Sequence, residues 1–259
     1  MLTIKHIVQI YFSINREVYG DLSHLSILPI EWLETRFKLF HDTTLRSILN
    51  QSNRNFDIWV MCGSWRKEIT DGFKWNENVK VLYDNGRREL RLLNKDFVAI
   101  TRIDSDDLMH VDAMQEVIAE TRENIKPEYN KITFGFNKNL VWNKYNTHLA
   151  YHYRRSPPFF THVLSKAVYK DHKKFTEVHN VPHGKSANGS EFIKELSTHK
   201  ICVVKHGITN NSLRRRGLGI TKMSNAEWKK LLKQKRVITK DKKEMYKYLK
   251  DFGVLENEI

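Results

Sequence analysis

The chain has 259 residues, 40% of them hydrophobic, enough to bury one large core or one core with a small appendage. Lys and Arg number 44 against 30 Asp and Glu, and the formal charge of +14 favours anionic partners such as nucleotide phosphates, nucleic acid or acidic lipid headgroups. No run approaches the ~18 apolar residues of a membrane span, and Cys62 and Cys202 lie far apart in apolar runs, which favours a cytoplasmic or membrane-peripheral protein with buried thiols over a disulfide-linked or membrane-spanning one.

In chain order, an apolar, β-favouring run at 7–14 predicts a first strand that ends in the polar loop 13–16. Over 30–51, Leu33, Phe37, Phe40, Leu45, Ile48 and Leu49 recur at helical steps, giving one helix or two short ones with Asp42 or Thr43 available as an internal cap. Strands are expected at 56–62 and 79–83, each closed by turn residues, then a short helix at 87–94 and a fourth strand at 97–103. A helix follows at 111–121, with Val111, Met114, Val117 and Ile118 on one face. This alternation predicts an α/β fold with a mainly parallel, doubly wound sheet whose ligands bind beyond the carboxyl ends of its strands. The second half is less regular. Strands at 131–136 and 140–142 flank the turn Asn137-Lys138-Asn139, an aromatic and basic loop is expected at 151–160, and a further strand at 201–205.

Three carboxylates, Asp104, Asp106 and Asp107, stand where the apolar run 97–103 stops. Crowded so closely they repel one another unless a cation lies between them, so at a strand end they point to a Mg²⁺ or Mn²⁺ site that holds phosphates. Asp106 or Asp107 could also cap the following helix, and a solvated acidic turn is the third reading. An EF-hand loop is excluded, because Met109 falls where that loop needs glycine. The chemistry that fits the metal reading is sugar transfer from a nucleoside diphosphate, in which the departing diphosphate gains charge as the glycosidic bond breaks.

Four further stretches bear on this. They are Arg36-Phe37-Lys38-Leu39-Phe40 running on to Phe56-Asp57-Ile58-Trp59, Thr101-Arg102-Ile103-Asp104-Ser105-Asp106-Asp107, the loop at Pro157-Pro158-Phe159-Phe160, and Val203-Val204-Lys205-His206-Gly207 continuing to Ser212. In that order they resemble the nucleotide-sugar glycosyltransferases of GT-A fold, and within them the rhamnosyltransferase-like group, over roughly residues 5–219. The resemblance implies a GT-A-like (Rossmann-like) domain at 1–219 with a DxD motif, a nucleoside-diphosphate sugar as donor, and Mn²⁺ or Mg²⁺ on Asp104, Asp106 and His206. It also implies Ser13 and Arg16 at the base and ribose, Asp84 against the base, and Arg88 and Arg91 facing the phosphates. Arg102 would offset the repulsion within the acidic cluster, and Arg214, in Arg214-Arg215-Arg216, would grip the diphosphate by forked hydrogen bonds. The general base is expected at the start of a helix beyond the metal site, where Glu191 follows Gly189-Ser190; Glu191 and Asp106 are the expected catalytic residues. His179 and His183, four apart, do not form a zinc pair, because Pro182 and Gly184 argue against a helix there.

Residues 213–259 hold 14 Lys/Arg against 6 Asp/Glu, a net +8, and lysine-rich helical segments are expected at 226–234 and 242–252 within a basic extension at 220–259. Their apolar residues either pack on the parent domain or free the lysines for anionic lipid, where a lipid-linked acceptor would be found, or for DNA. The acceptor is therefore expected to be a glycan or another hydroxyl compound. A nucleic-acid-binding protein, or a glycosyltransferase acting on DNA, is the alternative.

Overall fold

A computed structural model describes residues 2–12, 30–64, 67–83, 86–144, 148–153, 159–179, 185–206 and 236–259. Its main sheet has seven strands in the order β10-β6-β9-β4-β1-β2-β3. These are β1 (Ile4–Tyr11), β2 (Asp57–Met61), β3 (Val79–Leu82), β4 (Phe97–Asp104), β6 (Lys131–Gly135), β9 (Phe160–Ser165) and β10 (Phe192–Glu195). Six run the same way and β9 runs against them, so the sheet is mixed rather than wholly parallel. The inner strands are near-continuous apolar runs because both faces are covered. Phe97, Ala99 and Ile103 of β4 pack with helix α1 (Ile30–Leu39), its continuation and α5 (Ala113–Asn124). Val98 and Ile100 face the other way, toward Leu90 of α4 (Arg87–Leu92), Val168 of α6 (Lys166–Tyr169) and Phe175 of α7 (His172–His179). The short α2 (Arg46–Leu49) and α3 (Lys67–Thr70) complete the first half. The strand order reverses between β1 and β4, where Tyr11 pairs with Asp104. Ligands of open α/β sheets bind at such a switch point.

A second sheet of five strands, not anticipated from sequence, has the order β12-β8-β7-β11-β5. It contains β5 (Leu108–Met109), β7 (Lys138–Asn143), β8 (His148–Tyr153), β11 (Ile201–Lys205) and β12 (Arg236–Thr239). The runs expected to flank a turn at 137–139 therefore belong to different sheets: β6 lies in the large one and β7 in the small one. The stretch expected as a loop from Tyr151 is the end of β8, and Phe160 opens β9. The helix at 30–49 does not restart at a cap. It continues through a π-helical turn (Phe40–Leu45), where Thr43 donates to the Leu39 carbonyl and Asp42 pairs with Lys38 one turn earlier at 2.8 Å.

The described part of the basic tail completes the small sheet rather than hanging from the domain. Strand β12 pairs antiparallel with β8, and α8 (Lys242–Leu249) follows, with Asp241 accepting from the Glu244 amide at 2.8 Å as its N-cap. Alternation divides the small sheet's side chains: Met109, Val141, Ile201 and Val203 join the main core, while Leu108, Trp142, Cys202 and Val204 face Met245, Leu249, Phe252 and Val254. Arg46 of α2 closes the end of the chain with an ion pair to Glu258 at 2.6 Å. Segment 226–234 lies outside the described residues. Among those residues, no helix is long and apolar enough to cross a membrane. Phe252→Ala is expected to cost about 3–5 kcal/mol in urea denaturation, because it empties the layer that covers the small sheet.

Buried polar groups tie the layers together. His162 Nε2 donates to the Ser186 carbonyl at 2.8 Å, His162 Nδ1 and His179 Nδ1 lie 3.1 Å apart, and His179 Nε2 lies 2.9 Å from Gln9 Oε1. Lys131, buried beneath them, donates to the Ser186 and Asn188 carbonyls. Burial, then Arg102 and Lys131, bring His179 down to about 3; burial, then Arg122 and Lys5, bring His6 down to about 4; and burial, then His179 and Lys131, hold His162 well below its ordinary value. Below pH 6.5 the unfolded histidines take protons that the folded ones refuse. The stability they confer is therefore complete above that pH and declines as pH falls toward 3. The urea midpoint should drop between pH 7 and pH 5; an unchanged midpoint would contradict neutral burial of these rings.

Candidate functional site

Strand β4 delivers Asp104 to the sheet edge, and the chain turns at once, with the Asp107 amide donating to the Asp104 carbonyl at 3.2 Å. The two-residue β5 then pairs antiparallel with β11, Cys202 opposite Leu108 and Ile201 opposite Met109. That pairing brings the end of β11 beside the turn. Asp107 Oδ1 accepts from the Val204 amide at 2.9 Å, and His206 Nε2 reaches Asp106 Oδ2 at 3.1 Å across 100 residues of chain. The expected meeting of Asp106 with His206 is thus present in the geometry.

Arg36 was the residue without an assigned role. Its Nη1 donates to Asp106 Oδ2 at 2.9 Å and its Nε to Ser105 Oγ at 3.0 Å. Arg36, Asp106 and His206 are only 7%, 8% and 6% exposed. A sequence signal existed, since Arg36 falls between Leu33 and Phe40 at spacings of three and four, a charge on an otherwise apolar helical stripe. Aromatic packing holds that helix in place. Phe37 stacks on Phe73 with ring centroids 4.4 Å apart, and Trp75 stands edge-on to Phe12 at 5.3 Å and to Phe37 at 5.0 Å.

The two buried carboxylates are driven in opposite directions. Burial pushes Asp106 up, but the Arg36 charge and the His206 hydrogen bond outweigh it and hold the carboxyl well below its usual range. Burial, then the charges of Asp106 and Asp104, raise Asp107 well above that range against the weaker pull of Lys205 and the Val204 amide. One member is thus a fixed anion and its neighbour is pushed toward the neutral acid. His206 Nδ1 is buried without a hydrogen-bond partner among the described residues.

The divalent cation expected on Asp104, Asp106 and His206 does not find its donor set among the described residues. Asp106 Oδ2 already serves Arg36 and His206, Asp107 faces Val204, and no three His, Cys, Asp or Glu side chains converge as ligands would. Arg36 places a fixed positive charge against Asp106, the carboxylate that such an ion would use.

The other expected residues scatter. Arg102 lays its guanidinium over the Tyr11 ring at 4.5 Å and near Phe160 at 6.0 Å, and the charge in contact with Asp106 is that of Arg36 instead. Arg88 is exposed on α4, in a cleft with Arg87, Arg91 and His172. Glu191 requires a correction: it precedes strand β10, not a helix, and its carboxylate accepts the Asn130 and Lys131 amides at 3.2 and 2.8 Å. Through the β6–β9–β4 register Lys131 is level with Val98, six residues before Asp104, so Glu191 lies at the opposite sheet edge, about 20 Å from the acidic turn. Ser13, Arg16, Asp84, Arg214 and Pro157-Pro158 lie outside the described residues.

Fold and corner together define the class: a Rossmann-like α/β domain with an acidic turn at the switch point of its main sheet. The chain belongs to the family described as "Putative rhamnosyl transferase", whose profile matches residues 27–217. Among solved structures it is similar to TarS 1–349 of S. aureus, with 14% identity and a TM-score of 0.41, covering 77% of this chain and 60% of that one. It is also similar to the 2-C-methyl-D-erythritol 4-phosphate cytidylyltransferase IspD of Francisella tularensis, with 10% identity and a TM-score of 0.41, covering 74% and 91%. The chain therefore spans 60% of the length of the TarS fragment. No curated protein matches it.

Removing Arg36 leaves the Asp106 charge buried with one partner fewer. Arg36→Ala should cost about 3–5 kcal/mol in urea denaturation. Lys38→Ala, which breaks a pair whose lysine side chain is 80% exposed, should leave the urea midpoint nearly unchanged. Equal effects of the two would contradict the buried ion pair.

Proposed function

We propose that this protein moves a sugar, rhamnosyl or another hexosyl, from a nucleoside-diphosphate donor to a hydroxyl of a glycan or lipid-linked acceptor. The observation that carries this reading is the corner made by Asp104, Asp106 and His206 at the β1/β4 switch point, with Arg36 as its internal counter-ion. A donor diphosphate is strongly anionic and would be repelled by an uncompensated acidic cluster. Arg36 offsets one of those carboxylates, Asp106, and so lowers the repulsion that an incoming diphosphate would meet. Asp104, half-buried at the strand end, has the position to accept hydroxyl hydrogen bonds from ribose or sugar and so to orient the donor. His206 is held at the corner by Asp106 through Nε2. No step is assigned to a metal, and Glu191 is not carried forward as the base.

A thermal-shift screen of nucleoside diphosphates and nucleotide sugars, run with and without Mn²⁺, tests the reading. At least one nucleotide sugar should raise the melting temperature, and Asp104→Asn should reduce that rise. If no nucleotide or nucleotide sugar stabilises the intact protein in either buffer, the proposal fails.

A further inference from the structure

The end of β11 meets the acidic turn at two points. Val204 donates its amide to Asp107 at 2.9 Å, and His206 reaches Asp106 at 3.1 Å. Lys205 lies between these contacts and is half-buried. Side chains alternate along a strand, and β11 divides accordingly: Ile201 and Val203 face the main core, while Cys202 and Val204 face the C-terminal helix. Lys205 therefore leaves the strand on the Val203 side, toward the main sheet and its acidic corner, and its charge acts on Asp107.

The neighbouring lysine takes the other side. Lys144 follows Asn143, which is paired with Lys205, and donates its amide to the Lys205 carbonyl at 3.0 Å. Its ammonium group stands over the Trp142 ring at 4.5 Å, and Trp142 belongs to the layer that packs on the C-terminal helix. The arginines near the corner are already engaged: Arg36 is bound to Asp106, and Arg102 lies over the Tyr11 ring. Lys205, by contrast, pairs with no carboxylate among the described residues. An ammonium group held half-buried beside carboxylates that it does not bond is placed for an anion arriving from solvent. A nucleoside diphosphate differs from its monophosphate by one anionic phosphate group, and a point charge at the strand end is the kind of group that registers this difference.

We infer that Lys205 contacts the diphosphate of the donor and makes the corner prefer a nucleoside diphosphate to the corresponding monophosphate. The assignment rests on the donor reading proposed above and adds to it a group that holds the phosphates. With Asp104 at the ribose or sugar and Lys205 at the phosphates, the ligand lies across the ends of β4 and β11, which the β5–β11 pairing keeps side by side. The contact depends on charge, so arginine should serve at this position and glutamine should not.

The test is calorimetric titration of the intact protein, with Mn²⁺ present, by UDP, GDP, CDP and dTDP and by the matching monophosphates. The diphosphate that binds should bind Lys205→Ala and Lys205→Gln about tenfold or more weakly, while affinity for its monophosphate should change by less than about threefold. Lys205→Arg should retain most of the affinity, and Lys144→Ala, which removes a charge on the other face, should bind as the unaltered protein does. Diphosphate binding that is unchanged in Lys205→Ala overturns the assignment and leaves the donor reading standing. An equal loss for monophosphate and diphosphate also overturns it, since a merely structural lysine would have that effect. If no nucleotide binds the intact protein, the donor reading fails and the assignment fails with it. Circular dichroism of each variant verifies that the fold is retained.

Discussion

Asp106 is a carboxylate taken almost wholly out of water, and such a charge is tolerated only where partners replace its hydration. Its partners come from distant parts of the chain: Arg36 is 70 residues earlier and His206 is 100 residues later. To bring them together the molecule must seat the first helix on one face of the large sheet, turn sharply after β4 and return β11 alongside β5. The aromatic group around Phe12, Phe37 and Trp75 fixes the first of these, and the β5–β11 pairing fixes the last. A shift of one residue in that pairing would turn Val204 and His206 away from the acidic turn.

This constraint also gives the basic tail its structural part. Strand β11 can stand beside the turn only within the small sheet, and that sheet has one face against the main core and another that would otherwise meet solvent. Met245, Leu249, Phe252 and Val254 cover the second face, each buried side chain contributing about 1.5–3 kcal/mol. The lysines between them remain at the surface because only the apolar side of the helix is enclosed. Amphipathic packing thus accounts for the apolar side of 242–252.

The pattern of burial at the corner separates roles that the sequence leaves equivalent. Asp104, Asp106 and Asp107 are alike as residues, and local repulsion between them argues for a cation. In three dimensions the repulsion is relieved differently, by a guanidinium at Asp106, by a raised pKa at Asp107, and by partial exposure at Asp104. A protein-borne charge, Arg36, thus meets one of the three carboxylates.

Strands β1 to β4, the helices at 30–49 and 87–92 and the placing of an acidic turn at a strand end were legible from local signals, because apolar runs, helical spacing and turn residues are local properties, whereas α3 was not. It also joined His206 to the turn, but only through resemblance to known enzymes. The small sheet was not legible as a sheet: 140–142 and 201–205 read as strands without their partners, the end of β8 read as loop, and β12 becomes a strand by pairing with β8, far away in the chain. Glu191 looked like a helix start because Gly-Ser-Glu is a sound local signal, yet the β6–β10 pairing made it part of a strand edge. Arg36 stood visibly on an apolar stripe, but nothing local names its partner. Which carboxylate is paired, which is pushed toward neutrality and which edge a residue occupies were decided by tertiary structure alone, since strand order and register are set by the burial of the whole core.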